Sequence, residues 1–172
     1  GLLGTDAPAL RIPDFQRPYS WTPRMASQLF TDVDHALRHR PDQPYVMGTV
    51  ILLRRQGDTH FEVVDGQQRL LTLHLLRAVL RGQRIEQLES GSTPVHLVYQ
   101  ELRRLVVGLS GDDDVARYSS FLDSKAQVLR IVTDDEDEAF QFFDSQNFRG
   151  KALRPHDLLK AYHLREMADT ST

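Results

Sequence analysis

The residues best placed to do chemistry are Asp65-Gly66-Gln67-Gln68-Arg69, which follow Val63-Val64 directly. A strand end, a glycine and a helix start fall within seven residues, and that arrangement favours anions. The first N–H groups of a helix have no intrahelical partner, the macrodipole adds roughly half a positive charge, and glycine lets a phosphate approach closely. The ligand this turn suits is the phosphate of a nucleotide or nucleic acid. A purely structural alternative makes Asp65 the N-cap and Gln68 the N3 residue of a capping box. That alternative leaves Arg69 unexplained, since a cation in the first turn opposes the dipole by roughly 0.3–1 kcal/mol unless an anion neutralises it.

Two further clusters carry more polar groups than a core requires. In Phe15-Gln16-Arg17-Pro18-Tyr19-Ser20-Trp21, Tyr19 and Trp21 either stack on a base or close the core. Arg17 offers a guanidinium fork suited to phosphate, with its backbone restricted by Pro18. In Asn147-Phe148-Arg149-Gly150-Lys151, Arg149 and Lys151 either contact phosphate or DNA, or serve a helix end with Gly150 at C′. Asp157 and Lys160, three apart, make a surface pair. The absence of cysteine excludes disulfides, thiolate zinc sites and a cysteine nucleophile, and the seven histidines form no His-Glu-x-x-His motif, so no structural zinc is expected.

The elements that must hold these residues follow from periodicity. Residues 10 to 21 form an extended or turning approach, because prolines flank the aromatic cluster. Thr22 and Pro23 read as N-cap and N1 of a helix whose apolar face is Met25, Ala26, Leu29, Phe30, Val33, Ala36 and Leu37, ending near Arg40-Pro41. Val46–Arg55 and Thr59–Val64 are strand-like around the turn Gln56-Gly57-Asp58, which gives a β-hairpin. The helix after the Asp65 turn is apolar on nearly every side, hence buried, and ends at Arg81-Gly82.

Beyond it come a polar loop from Gln83 to Pro94, a helix over Val95–Val107, an acidic turn, a weaker helix and a strand over Val128–Thr133. Thr133 and Glu136 have capping-box spacing before a helix anchored by Phe140, Phe142 and Phe143. Gly150 breaks that helix, and Pro155 starts a last one. The pattern is α/β (α+β): a small mixed sheet with a β-hairpin, packed by helices, in one domain over residues 1–172.

Composition sets the outer bounds. Twenty-four acids against twenty-one lysines and arginines give a net charge of −3. Eight of those acids lie in two runs, Asp112–Asp114 and Asp134–Glu138, so sixteen face twenty-one cations elsewhere and a local basic surface is possible. No apolar run reaches transmembrane length, and the start lacks the marks of a signal peptide, so a cytoplasmic location without a membrane partner is expected. The missing initial methionine and the early stop after the last helix suggest a piece of a longer protein.

Taken together, Ile12 through Trp21, Asp65 through Arg69, and Asn147-Phe148-Arg149-Gly150 through Asp157-Leu158-Leu159-Lys160 resemble the DGQQR-motif domain at the N-terminus of GmrSD-type modification-dependent restriction proteins. The three blocks occur in the family's order and span about residues 10 to 165. The resemblance implies a ParB/sulfiredoxin-like core, bacterial anti-phage defence, and hydrolysis of a nucleoside triphosphate, GTP or another, with Mg²⁺. Carried over, it gives Asp65 the metal or the water, lets Gly66 admit the phosphate, and has Gln67, Gln68 and Arg69 contact it, with Gln16 and Arg17 completing the pocket.

Relatives commonly carry a long helical insertion after the DGQQR helix, where this chain has about eighty residues, and continue into an HNH nuclease domain. No His-Asn-His constellation can be assembled here. The implied role is therefore regulation of a nuclease elsewhere in the full protein. Two alternatives stay open: a non-enzymatic reader of modified DNA or its backbone, with Tyr19 and Trp21 as an apolar wall, and a DNA-nicking domain using Asp14, Asp58 or Glu62 beside Asp65.

Overall fold

A computed structural model describes residues 9–13 and 18–147. Thr22 caps helix α1 (Pro23–His39) in extended conformation, its hydroxyl accepting from the Met25 N–H, and Pro23 occupies the first turn, where its missing N–H costs nothing. Ala26, Phe30, Val33 and Ala36 form its buried stripe. Strands β2 (Tyr45–Leu53) and β3 (His60–Asp65) make the expected antiparallel hairpin. Strand β1 (Ala9–Arg11) lies parallel to β3, overlapping the start of the stretch read from sequence as extended or turning, and β4 (Ala126–Thr133) lies parallel to β2. The four-stranded mixed sheet has the order β1-β3-β2-β4.

Helices α2 (Gln67–Leu80), α3 (Pro94–Val107), α4 (Asp112–Ser124) and α5 (Glu136–Asn147) complete the described architecture, with a short 3₁₀ turn at Glu86–Leu88. Two cores result. The larger is helical: Phe30 and Val33 meet Leu73, Leu76, Val98, Tyr99, Leu102 and Tyr118. There the Tyr118 ring stacks on Phe30 at 4.6 Å while its hydroxyl donates to the Phe30 carbonyl at 3.0 Å, and burial raises its pKa. The smaller core joins Val50, Leu52 and Val63 of the sheet to Leu70. Helix α2 belongs to both, so it fixes the sheet relative to the other helices.

Val50 through Leu53 are buried in succession, so both faces of the sheet are covered at this point. One face takes Leu70 of α2; α5, which approaches β2, β3 and β4, accounts for the other.

Two details of α5 differ from the sequence expectation. Its N-cap is Asp135, which accepts from the Glu138 N–H at 3.1 Å, whereas Thr133 still belongs to β4 and bonds the Glu138 carboxylate with its hydroxyl. Its fully buried residue is Ala139, and of the three expected anchors Phe143 is half-buried while Phe140 and Phe142 remain 47% and 36% exposed. A helix tight against a sheet favours the small residue, which lets the backbones approach. The expected break at Gly150 and last helix from Pro155 lie outside the described residues.

Candidate functional site

Two irregularities in the sheet converge on the Asp65 turn. Between the pairs Leu52↔Val63 and Ile51↔Asp65 the third strand carries one extra residue, Val64, a bulge that bends β3 just before it ends. Between Val46↔Gln127 and Thr49↔Leu129 the second strand carries an extra residue around Met47-Gly48, with Gly48 at φ +115°. The chain then turns at Gly66, in the left-handed region at φ +90°, and enters α2 at Gln67.

Gly66 is the N-cap, and no side chain caps the helix. The capping box of Asp65 with Gln68 is therefore absent: Asp65 completes β3, paired with Ile51, and Gln68 points elsewhere. The first helical bond runs from the Leu70 N–H to the Gly66 carbonyl at 3.0 Å, and the N–H groups of Gln67, Gln68 and Arg69 have no acceptor among the described residues. The fold alone also demands the glycine. A Cβ at position 66 would stand 2.8 Å from Val50 Cγ2 and 3.2 Å from the Thr49 carbonyl oxygen.

The polar side chains of the turn divide into two groups. Gln68 is buried and occupied: its Oε1 accepts from the backbone N–H of Ser20 at 2.7 Å and of Trp21 at 3.3 Å, and its Nε2 donates to the Pro18 carbonyl at 3.4 Å. One turn on, the Thr72 hydroxyl donates to the Gln68 carbonyl at 2.8 Å, so the Tyr19 hydroxyl, 2.7 Å away, must be the donor to Thr72. Burial raises the Tyr19 pKa, with the Thr72 bond opposing, and that keeps the proton on.

Asp65, Gln67 and Arg69 are different. Gln67 is 9% exposed, and neither its carboxamide nor the Asp65 carboxylate has a hydrogen-bond partner among the described residues. The Arg69 guanidinium crosses Gly48, where a Cβ would meet it at 2.9 Å, and donates once, to the Thr49 carbonyl at 3.0 Å. It forms no ion pair among the described residues, so its charge stays uncompensated by any carboxylate there, and most of its five N–H donors remain for a ligand.

Gln16, Arg17, Arg149 and Lys151, expected at the same site, fall outside the described residues, as does Asp14. Tyr19 packs against the helical core and is hydrogen-bonded, and Trp21 is half-buried with its backbone on Gln68. Of the acids expected for DNA nicking, the two among the described residues, Asp58 and Glu62, do not gather at Asp65. Glu62 is engaged by Arg55 at 3.2 Å, and Asp58 lies before the opposite end of β3, 3.7 Å from His60. No group of three or more histidines and carboxylates among the described residues could hold a metal ion. His35 and His39 have His-x-x-x-His spacing on α1, but their rings stack at 4.0 Å and His39 Nδ1 is bonded to the His35 carbonyl.

Sequence inspection missed two participants, Gly48 and Thr72, and the backbone role of Ser20 within the polar cluster it singled out. Gly48 had a visible signal, an isolated glycine within a strand, which marks a bulge or a close approach. Thr72 and Ser20 had none, because their roles depend on which segments meet.

The family model described as GmrSD restriction endonuclease, N-terminal domain, matches residues 2–164. The chain belongs to this family. The match includes the four strands and five α-helices of the described residues of this GmrSD N-terminal domain, and so contains the Asp65–Arg69 turn and the two bulges beside it. No curated protein matches the chain. Among the described residues no helix is long and apolar enough to cross a membrane.

Proposed function

We propose that this GmrSD N-terminal domain binds the phosphates of a nucleoside triphosphate at the Asp65–Arg69 turn, hydrolyses it, and thereby regulates a nuclease carried elsewhere in a cytoplasmic anti-phage restriction system acting on modified DNA. One observation carries the reading. Three helix N–H groups, a Gln67 amide and an arginine guanidinium that have, among the described residues, no acceptor, no partner and no carboxylate respectively all stand at one glycine turn. A cation in the first helical turn opposes the dipole by roughly 0.3–1 kcal/mol, and an anionic ligand would offset that cost while satisfying donors that the fold itself leaves to solvent.

In this reading the N–H groups of Gln67, Gln68 and Arg69 hold a phosphate oxygen, and the Arg69 guanidinium offsets charge developing on the transferred phosphoryl group. Preorganisation of Arg69 on the Thr49 carbonyl keeps it in place before the ligand arrives. Asp65, half-buried at the strand end, orients the attacking water or holds an ion. A single carboxylate suits Mg²⁺, which is commonly held by one or two carboxylates together with substrate phosphates and waters. Bound there, the ion would supply charge neutralisation between the phosphate groups.

The test is phosphate release from GTP, ATP, CTP and UTP with Mg²⁺, comparing wild type with Asp65→Ala and Arg69→Ala after circular dichroism shows both folded. Loss of hydrolysis in either folded variant is expected, by about 10²-fold or more for removal of a transition-state donor. Full activity in both variants would place hydrolysis elsewhere. If wild type releases no phosphate yet binds DNA with an affinity that falls steeply with salt, the reader function takes over.

A further inference from the structure

Of the four polar or charged side chains in the turn, Gln68 is the one bound to the segment Pro18–Trp21, with three hydrogen bonds to its backbone, whereas Arg69 makes a single bond, to the Thr49 carbonyl. We propose that Gln68 is a positioning residue rather than a phosphate ligand: it fastens the segment Pro18–Trp21 to the start of α2, making that segment a wall of the phosphate site. The inference deepens the function proposed above and rests on it.

The carboxamide is nearly used up. Both lone pairs of Oε1 are taken by the N–H groups of Ser20 and Trp21, and one N–H of Nε2 by the Pro18 carbonyl, all within a residue that is 7% exposed. An oxygen that accepts two N–H bonds has no role toward an anion, and the geometry assigns the amide to the backbone of residues 18–21. A second fastening lies one turn deeper, where Tyr19 donates to Thr72 and Thr72 to the Gln68 carbonyl. The two fastenings hold alternate sides of the same short segment.

Position makes this matter for binding. Gln68 is the second residue of α2, and its own backbone N–H is among the three left unbonded at the turn. One residue thus presents its main chain to the site and its side chain to residues 18–21. The segment is held within one side-chain length of the phosphate donors. Loosening it widens the site without removing a single donor from the turn.

The chain contains one tryptophan, Trp21, on the fastened segment, so its emission reports the fastening directly. The experiment compares Tyr19→Phe, Thr72→Val, Gln68→Leu and Gln68→Glu by Trp21 fluorescence and by titration with Mg²⁺·GTP. Tyr19→Phe keeps the ring and deletes only a hydroxyl that points at Thr72, away from the turn. It is expected to weaken GTP binding about threefold to tenfold, the cost of one hydrogen bond, with altered Trp21 emission. Gln68→Leu is expected to weaken it more and to shift Trp21 emission to the red, whereas Gln68→Glu, which keeps the acceptor for Ser20 and Trp21 but loses the donor to the Pro18 carbonyl, is expected to give a smaller red shift.

If wild type binds GTP, Gln68→Leu abolishes binding, and Tyr19→Phe and Thr72→Val bind like wild type, then Gln68 is a ligand and the proposal is overturned. Wild-type Trp21 emission in folded Gln68→Leu overturns it as well. Failure of wild type to bind any triphosphate brings down the proposed function itself, and the Trp21 arm still shows separately whether the fastening exists.

Discussion

The two ends of α2 are built to different purposes. Its C-terminal half buries Leu73, Leu75, Leu76 and Leu80 in the helical core, and every one of those side chains is satisfied by packing alone. Its first turn buries Gln67 and Gln68 and carries an arginine, with no side-chain cap and a glycine at positive φ. Stability alone would favour apolar or acidic residues in that first turn rather than two buried carboxamides and a cation. The contrast teaches that one helix can be anchored at its far end so strongly that its near end is free to carry polar groups that packing does not call for, the groups to which the proposed function assigns a phosphate.

Substitutions that separate the two ends make the contrast measurable. The largest loss of stability is expected at the packed end: Leu76→Ala, fully buried, should lower the unfolding free energy by about 2–5 kcal/mol in urea denaturation. Variants that remain folded should keep nucleotide binding. A loss near zero would mean that α2 is not the anchor.

Gly66→Ala comes next. At φ +90°, with Val50 Cγ2 2.8 Å from the new Cβ, it should cost about 1–3 kcal/mol and displace the start of α2 from β2. Thermal melting checks the first effect and phosphate release the second.

Gln67→Ala sharpens the comparison from the other side. With no hydrogen bond to lose among the described residues, it should cost about 1 kcal/mol or less, well below Leu76→Ala, while weakening nucleotide binding. A large loss of stability would place Gln67 with Gln68 as part of the framework.

The smallest effect is a control far from the turn. Glu101 on α3 is held below the usual carboxylate range by its bond to Arg104, helped by the Ser27 hydroxyl of α1, against a smaller desolvation. A depressed pKa gives stability that is present above the unfolded pKa and lost as pH falls through the folded one. Glu101→Gln should therefore flatten the acid limb of the stability curve below about pH 4.5 and leave hydrolysis unchanged.

The sequence revealed the hairpin, the capped α1 and the buried α2 because each is a local pattern: β-branched runs about a Gly-Asp turn, a Thr-Pro start, leucines on every side. The Asp65 turn was visible for the same reason. What stayed hidden is non-local. The parallel pairing of Ala9–Arg11 with His60–Glu62 leaves no mark in a three-residue strand. The choice of Asp135 over Thr133 as N-cap depended on how far β4 pairs with β2, to Thr133 itself. Asp65 and Gln68 have capping-box spacing and do not use it, because β3 claims Asp65 and the 18–21 segment claims Gln68.

The most direct test of the phosphate site is a two-dimensional amide NMR titration of the ¹⁵N-labelled chain with Mg²⁺·GTP. The account predicts that the amides of Gln67, Gln68 and Arg69, which have no acceptor among the described residues, move first and farthest, with Arg69 Nε close behind. Large shifts confined to other regions, with those three amides unmoved, would contradict it.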